Sequence, residues 1–230
     1  MVVATVGCKT NDSESKSPPK GAQPSESAAL RTVDAFDGVE VRAAVDLTVT
    51  EGEPQVVTID APPDVLPNVT TSVQNRMLVI GCTGTKSEQC RSIRAHVTAA
   101  KFKKLIVKGS GDIHATGSLR GSLELSIKGS GDVDLPVDMT SLAVQITGSG
   151  SAKFEGKAAA LTVEVKGSGD LSAATLEAEK VSVNVAGSGN VGLSAAAELS
   201  VSIAGSGNVT YAGTPTLNKQ ITGSGTLSAK

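Results

Sequence analysis

The chain has 230 residues, with 21 Lys and Arg against 23 Asp and Glu and a net charge of -2 at pH 7. No basic excess exists to hold a phosphate backbone, which excludes nucleic acid as an expected partner. Aromatic residues make up only 2% of the chain, with no Trp, so sugar clefts, base-stacking platforms and most hot-spot interfaces, which lean on aromatics, have almost none to build on.

The chain opens Met1-Val2-Val3-Ala4-Thr5-Val6-Gly7-Cys8. A small residue directly before a cysteine, after a short apolar run, resembles the lipobox of bacterial lipoproteins. On that resemblance residues 1–8 are a truncated signal and Cys8 is the lipidated residue, a membrane anchor through the N-terminus. Lys9, where Asp would retain a lipoprotein at the inner membrane, resembles outer-membrane sorting. Residues 9–32 follow with Pro18-Pro19, Gly21, Pro24 and interspersed Ser and charges over most of their length. That composition buries little apolar area, so the segment reads as a flexible tether. No apolar run in the chain is long enough to cross a bilayer as a helix.

Residues 33–100 form an irregular β module. Val39–Val41, Leu47–Thr50, Val56–Ile59 and Met77–Ile80 alternate like strands, while Glu51–Pro54 and Asn75-Arg76 read as turns. Val39 through Leu47 aligns with Leu105 through Ile113, with Ala43-Ala44-Val45 standing where Gly109-Ser110-Gly111 stands and Asp46 matching Asp112. Cys82 and Cys90 enclose a polar loop. In an oxidising envelope the spacing suits a disulfide, with two free thiols as the alternative. Lys101, Lys103 and Lys104 form a small basic run, read as a solvated edge or an anionic-glycan contact.

Residues 101–230 carry the repeats. Gly-Ser-Gly begins at Gly109, Gly129, Gly148, Gly167, Gly187, Gly205 and Gly223, with spacings of 20, 19, 19, 20, 18 and 18 residues. A run with period-two alternation precedes each, such as Leu123-Glu124-Leu125-Ser126-Ile127-Lys128. One such repeat cannot bury its apolar face alone, whereas coils stacked about 4.8 Å apart can. The fold class expected is therefore all-β: a β-solenoid of 18–20-residue repeats with a glycine corner in each. Since spacing varies while the corner recurs, the return segment must absorb the variation.

The residues after the corners, Asp112, Asp132, Ser151, Asp170, Asn190, Asn208 and Thr226, stack along one edge in such a fold. Two readings stand: carboxylates sharing a hard cation such as calcium, or an Asx and hydroxyl column satisfying corner amides. The second is favoured, because Ser151 interrupts the acids and the full calcium nonapeptide is absent. Gly187-Ser188-Gly189-Asn190-Val191-Gly192 matches G-x-G-x-x-G, but no helix follows, so it is read as a product of the repeat. His96 and His114 have no nearby Ser or Cys suggesting a triad, and no Cys/His spacing suggests zinc. No catalytic residue, metal or cofactor is expected.

The chain resembles the autotransporter-adhesin head GIN domain family over about residues 33–230. The resemblance rests on Phe36-Asp37-Gly38-Val39, the Gly-Ser-Gly-Asp repeats at Gly109, Gly129 and Gly167, and Gly205-Ser206-Gly207-Asn208-Val209-Thr210-Tyr211-Ala212-Gly213-Thr214-Pro215. It implies a right-handed parallel β-helix on exported, often lipid-anchored bacterial proteins. The reading that follows is a non-enzymatic cell-envelope lipoprotein with an adhesion, binding or structural role. Its partners would be glycans or envelope and surface proteins. The alternatives are a polysaccharide-acting β-helix enzyme, by fold analogy only, and a periplasmic scaffold.

Overall fold

The computed structural model describes residues 28–83 and 92–230. Cys8, Cys90 and residues 9–27 of the expected tether lie outside the described residues. The strands are β1 (Ala28–Arg31), β2 (Gly38–Ala43), β3 (Val45–Glu51), β4 (Val56–Asp60), β5 (Val69–Gln74), β6 (Met77–Cys82), β7 (Ile93–Ala99), β8 (Lys104–Gly109) and β9 (Ile113–Ala115). Then come β10 (Leu119–Gly129), β11 (Asp132–Gly148), β12 (Ser151–Gly167), β13 (Asp170–Gly187), β14 (Asn190–Gly205), β15 (Asn208–Ala212), β16 (Thr216–Gly223) and β17 (Thr226–Ala229).

From β8 onward the strands stack in parallel into a β-solenoid. Alternation decides which side chains enter it. In β11, Val133, Leu135, Val137, Met139, Leu142, Val144 and Ile146 are buried, and the residues between them face outward. Thr140-Ser141, two exposed residues in succession, break the alternation within the strand. On the side that precedes the corner each buried residue lies over a like residue of the next coil, as Leu142 over Leu161 and Ile146 over Val165, whereas on the other side sizes differ, as Leu135 under Phe154 and Val137 under Gly156.

The glycine corners hold the register. Gly109, Gly129, Gly148, Gly167, Gly187, Gly205 and Gly223 pair directly from coil to coil. The register shifts fall elsewhere, near Gly121, Phe154, Ala174 and Glu179, so the 18–20-residue variation is taken up on the return path. The two glycines serve different needs. The first adopts φ between +114° and +143°, a region costly for a side chain. The second needs no such φ but lies against the coil beneath: a Cβ on Gly169 would stand 2.5 Å from Ile146 Cγ2 and 2.6 Å from the Gly150 carbonyl oxygen. The serine between them is exposed, and its N–H donates to the first glycine's carbonyl one coil below, as Ser168 to Gly148 at 2.9 Å.

The N-terminal third threads in a different order. β2 and β3 stack under β8 and β9 in the register the sequence alignment gives, Val39 on Leu105, Ala43 on Gly109 and Leu47 on Ile113. On their other side lie β6 and β7, which come later in the chain. The stacking order is thus β6–β7, β2–β3, β8–β9. Beyond that coil the pairing turns antiparallel: β4 on β7, β1 on β4 and β5 on β6. Ala28–Arg31, assigned on sequence to the tether of residues 9–32, is therefore a strand. Main-chain bonds to β4 and the Arg31 Nη2 bond to the Leu66 carbonyl at 3.3 Å hold it, while Leu30 is 71% exposed. Ala43 holds φ 68° at the corner without being glycine. In sequence a longer connection, from Cys82 to Ile93, stands between β6 and β7 where Gly-Ser-Gly stands in the later coils.

Candidate functional site

The solenoid side that follows the glycine corner presents two outward columns. The first is the post-corner column, which the fold brings together from Asp46 to Thr226. Asp112 N–H donates to Asp46 Oδ1 at 3.4 Å, Asp132 N–H to Asp112 Oδ1 at 2.8 Å, and Ser151 N–H to Asp132 Oδ1 at 3.1 Å. Ser151 is too short to continue the pattern, and Asp170 N–H turns to the Gly150 carbonyl at 3.3 Å. The ladder resumes above it. Asn190 donates both its N–H and its Nδ2 to Asp170 Oδ1, at 2.8 and 3.0 Å. Asn208 Nδ2 donates to Asn190 Oδ1 at 3.2 Å, and Thr226 Oγ1 to Asn208 Oδ1 at 2.6 Å. Asp46 adds a third consecutive acid to Asp112 and Asp132. Even so, among the described residues no group of three or more His, Cys, Asp or Glu is placed to hold a metal ion.

The second column lies two residues further on; from it the sequence singled out His96 and His114, and Gly192 and Thr210 within longer motifs, without joining them into a column. Register stacks Thr48, His114, Asp134, Lys153, Ser172, Gly192 and Thr210. Counting two positions past each post-corner residue would have found it. His96 pairs with Thr48 from the opposite side, so both histidines are exposed members of this column. Lys153 contacts Asp134 at 3.6 Å and Glu155 at 2.7 Å. The Glu155 carboxylate, then Asp134, raise its ammonium above the ordinary lysine value.

Between the two columns runs a groove of about 500 Å³, from His114 to Thr210. Its walls are Asp132, Asp134, Lys153 and Asp170 toward one end and Asn190, Asn208 and Thr210 toward the other. It is open because its midsection is small: Ser151, Ser172 and Gly192. Gly192, part of the G-x-G-x-x-G string, lies in β14, and packing does not demand a glycine there. A Cβ would meet only Thr210 Oγ1, at 3.6 Å.

The remaining singled-out residues lie elsewhere. Lys103 pairs with Asp37 at 2.9 Å and Lys104 with Glu124 at 2.6 Å, so two of the three lysines of the basic run are engaged in ion pairs. Cys82 is disulfide-bonded. Phe36-Asp37-Gly38-Val39 earns its place in the fold: Phe36 and Val39 are buried, and Asp37 also accepts from Arg76 Nε at 3.1 Å. A Cβ on Gly38 would stand 2.8 Å from the Met77 thioether.

A parallel β-solenoid with long exposed sides and, on one of them, a shallow groove edged by polar side chains but largely apolar in the surface it exposes defines the class: a β-helical head that presents surfaces. The chain belongs to the family described as "Putative auto-transporter adhesin, head GIN domain", which matches residues 35–215. The family's character is that of extracellular or cell-envelope proteins. Among solved structures the chain is similar to a "putative adhesin" from Bacteroides fragilis. Identity is 25%, over 91% of this chain and 100% of that one, with a TM-score of 0.81. It shares its fold with a "putative adhesin" from Parabacteroides distasonis, at 21% identity over 88% and 96% of the two chains and a TM-score of 0.72. A "putative lipid binding protein" from the same organism also shares the fold, at 21% identity over 88% and 96%, with a TM-score of 0.71. No curated protein matches the chain.

Proposed function

We propose that this chain is a non-enzymatic cell-envelope binding head. Cys8 anchors it by a lipid, residues 9–27 tether it, and its post-corner groove takes a neutral oligosaccharide. The observation that carries the reading is the groove itself, which crosses successive coils with hydrogen-bonding groups at near-constant spacing and an open midsection at Gly192. Three carboxylates, Asp132, Asp134 and Asp170, face one lysine, Lys153, which is already shared with Asp134. That balance repels uronate and sulfate chains and tolerates neutral hydroxyls and amides. Asp132 and Asp170 spend an oxygen each on main-chain amides of the next coil, which supports a binding surface over a proton-transferring pair. The pairing of Lys103 and Lys104 weakens the case for an anionic glycan at that edge.

The test is calorimetric titration of the full chain with neutral hexose and N-acetylhexosamine oligosaccharides, beside uronate and sulfated ones. Wild type should bind a neutral class. Gly192→Ile should weaken that binding at least about tenfold, by filling the groove, with thermal unfolding unchanged. Preference for the polyanions, or equal affinity in the variant, would sink the proposal. Retention of the chain in the membrane fraction after Cys8→Ala would remove the lipid anchor from it.

A further inference from the structure

The inward columns of the long solenoid side stay apolar until the last coil. Register puts Leu217 on Leu199 and Ile221 on Ile203. Between them the column runs Val144, Val163, Val183, Val201 and then Lys219. Lys219 is the charged residue at the end of a stack of buried valines. Its strand, β16, pairs with β14 on one side and with no strand on the other among the described residues. All of its residues are exposed, Leu217 at 38% and Ile221 at 37%.

Such an edge offers free main-chain donors and acceptors flanked by apolar side chains, the arrangement that recruits another strand. The strand best matched to it is its own copy. Leu217 and Ile221 stand equally far from Lys219 along the strand. An antiparallel pairing of two β16 strands about a two-fold axis at Lys219 therefore sets Leu217 of one copy opposite Ile221 of the other, on both sides of the axis. The same register sets the two Lys219 side chains directly opposite each other, at the Cβ separation where like charges oppose pairing. It also draws both ammonium groups toward an apolar interior. Any register that relieves the lysines takes Leu217 away from Ile221.

We propose that Lys219 keeps the solenoid from joining a second copy of itself end to end through β16. The test uses the full chain in sedimentation velocity over a concentration series. Lys219→Val should dimerise at least about tenfold more tightly than wild type. Adding Leu217→Lys to that variant should return it to monomer, which locates the contact at this edge. Lys219→Glu should stay monomeric alone and form a mixed dimer with wild type, because the opposed charges then differ in sign. A Lys219→Val chain that remains monomeric with unchanged circular dichroism and unfolding would overturn the proposal. So would wild type that self-associates as tightly as the variant, or a Lys219→Val dimer that Leu217→Lys does not dissolve.

Discussion

Asp132 donates its main-chain N–H to the carboxylate of Asp112, one coil below, at 2.8 Å, and Asp132 Oδ1 in turn accepts from Ser151 N–H. The residues are 20 apart in sequence, yet the corner register makes them neighbours in the stack. A hydrogen bond to a charged acceptor is worth about 1.5–3 kcal/mol where buried and less on an exposed edge such as this. Asp132→Ala should therefore destabilise the chain by about 1 kcal/mol in urea unfolding. Asp132→Asn, which keeps an oxygen acceptor, should cost less than half of that. Equal losses in the two variants would show that the charge rather than the acceptor matters.

The corner makes a sharper distinction between adjacent residues. Ser168 is exposed, and Ser168→Ala should change stability by less than about 0.5 kcal/mol. Gly169→Ala places a methyl against Ile146 and the Gly150 carbonyl, with rigid backbone on one side. Overpacking of this kind costs about 3 kcal/mol or more, since the corner cannot shift without breaking register above and below. Thermal unfolding of the pair reads the contrast directly. Similar melting temperatures for the two would mean the coils separate more easily than their pairing implies.

Glu40 supplies a pH dependence. It is 6% exposed and accepts from Arg42 Nε at 2.6 Å and from Lys108 Nζ, across the coil, at 3.0 Å. Burial pushes its carboxyl up, but the hydrogen bonds and charges of Arg42 and Lys108 outweigh it and hold the group below the ordinary glutamate value. A lowered folded-state pKa stabilises above the unfolded value of about 4.3 and is lost as the pH falls through the folded one. Glu40→Gln should therefore cost about 1–2 kcal/mol at neutral pH, the two cations being partly exposed. That difference should vanish in acid, where the wild-type carboxyl is protonated and Gln resembles it. A constant gap between the two unfolding curves across pH would refute the assignment.

Phe154 is fully buried, one of three buried phenylalanines in a core built mainly from small and branched aliphatic side chains. In the coil above it, Ala173 is among the buried residues, so the large ring is accommodated by a small neighbour. Phe154→Ala should leave a cavity that neighbouring aliphatics cannot fill and cost about 3–5 kcal/mol in equilibrium unfolding. A loss below about 1.5 kcal/mol would mean that the coils collapse onto the space.

The repeat was legible because each cue is local. Gly-Ser-Gly at near-constant spacing needs no partner to be seen, and Leu123-Glu124-Leu125-Ser126-Ile127 shows which residues turn inward before any coil is stacked. The degenerate first corner was legible for the same reason, since Val39–Leu47 and Leu105–Ile113 share one pattern and the structure lays one on the other. The post-corner column could be written down from the sequence, and its hydrogen bonds follow from the coil spacing. What one repeat cannot show is its neighbour two positions over. The groove exists because Ser172 and Gly192 fall side by side between Lys153 and Thr210, a coincidence of four coils.

Threading at the N-terminal end belongs to the tertiary structure alone. Nothing local says that β6 and β7 pass beneath β2 and β3 before the chain climbs to β8. Either face of the β2–β3 coil offers the same main-chain donors and the same alternating side chains, so the sequence is equally content with both neighbours. The choice is made by long-range packing. Met77 closes on Gly38, Asp37 draws Arg76 and Lys103 together, and the antiparallel strands β4 and β5 cover the end. The amino-acid order determines the coil, because alternation and a glycine corner act over a few residues. Which coil lies on which is decided only when surfaces distant in the chain meet and exclude water.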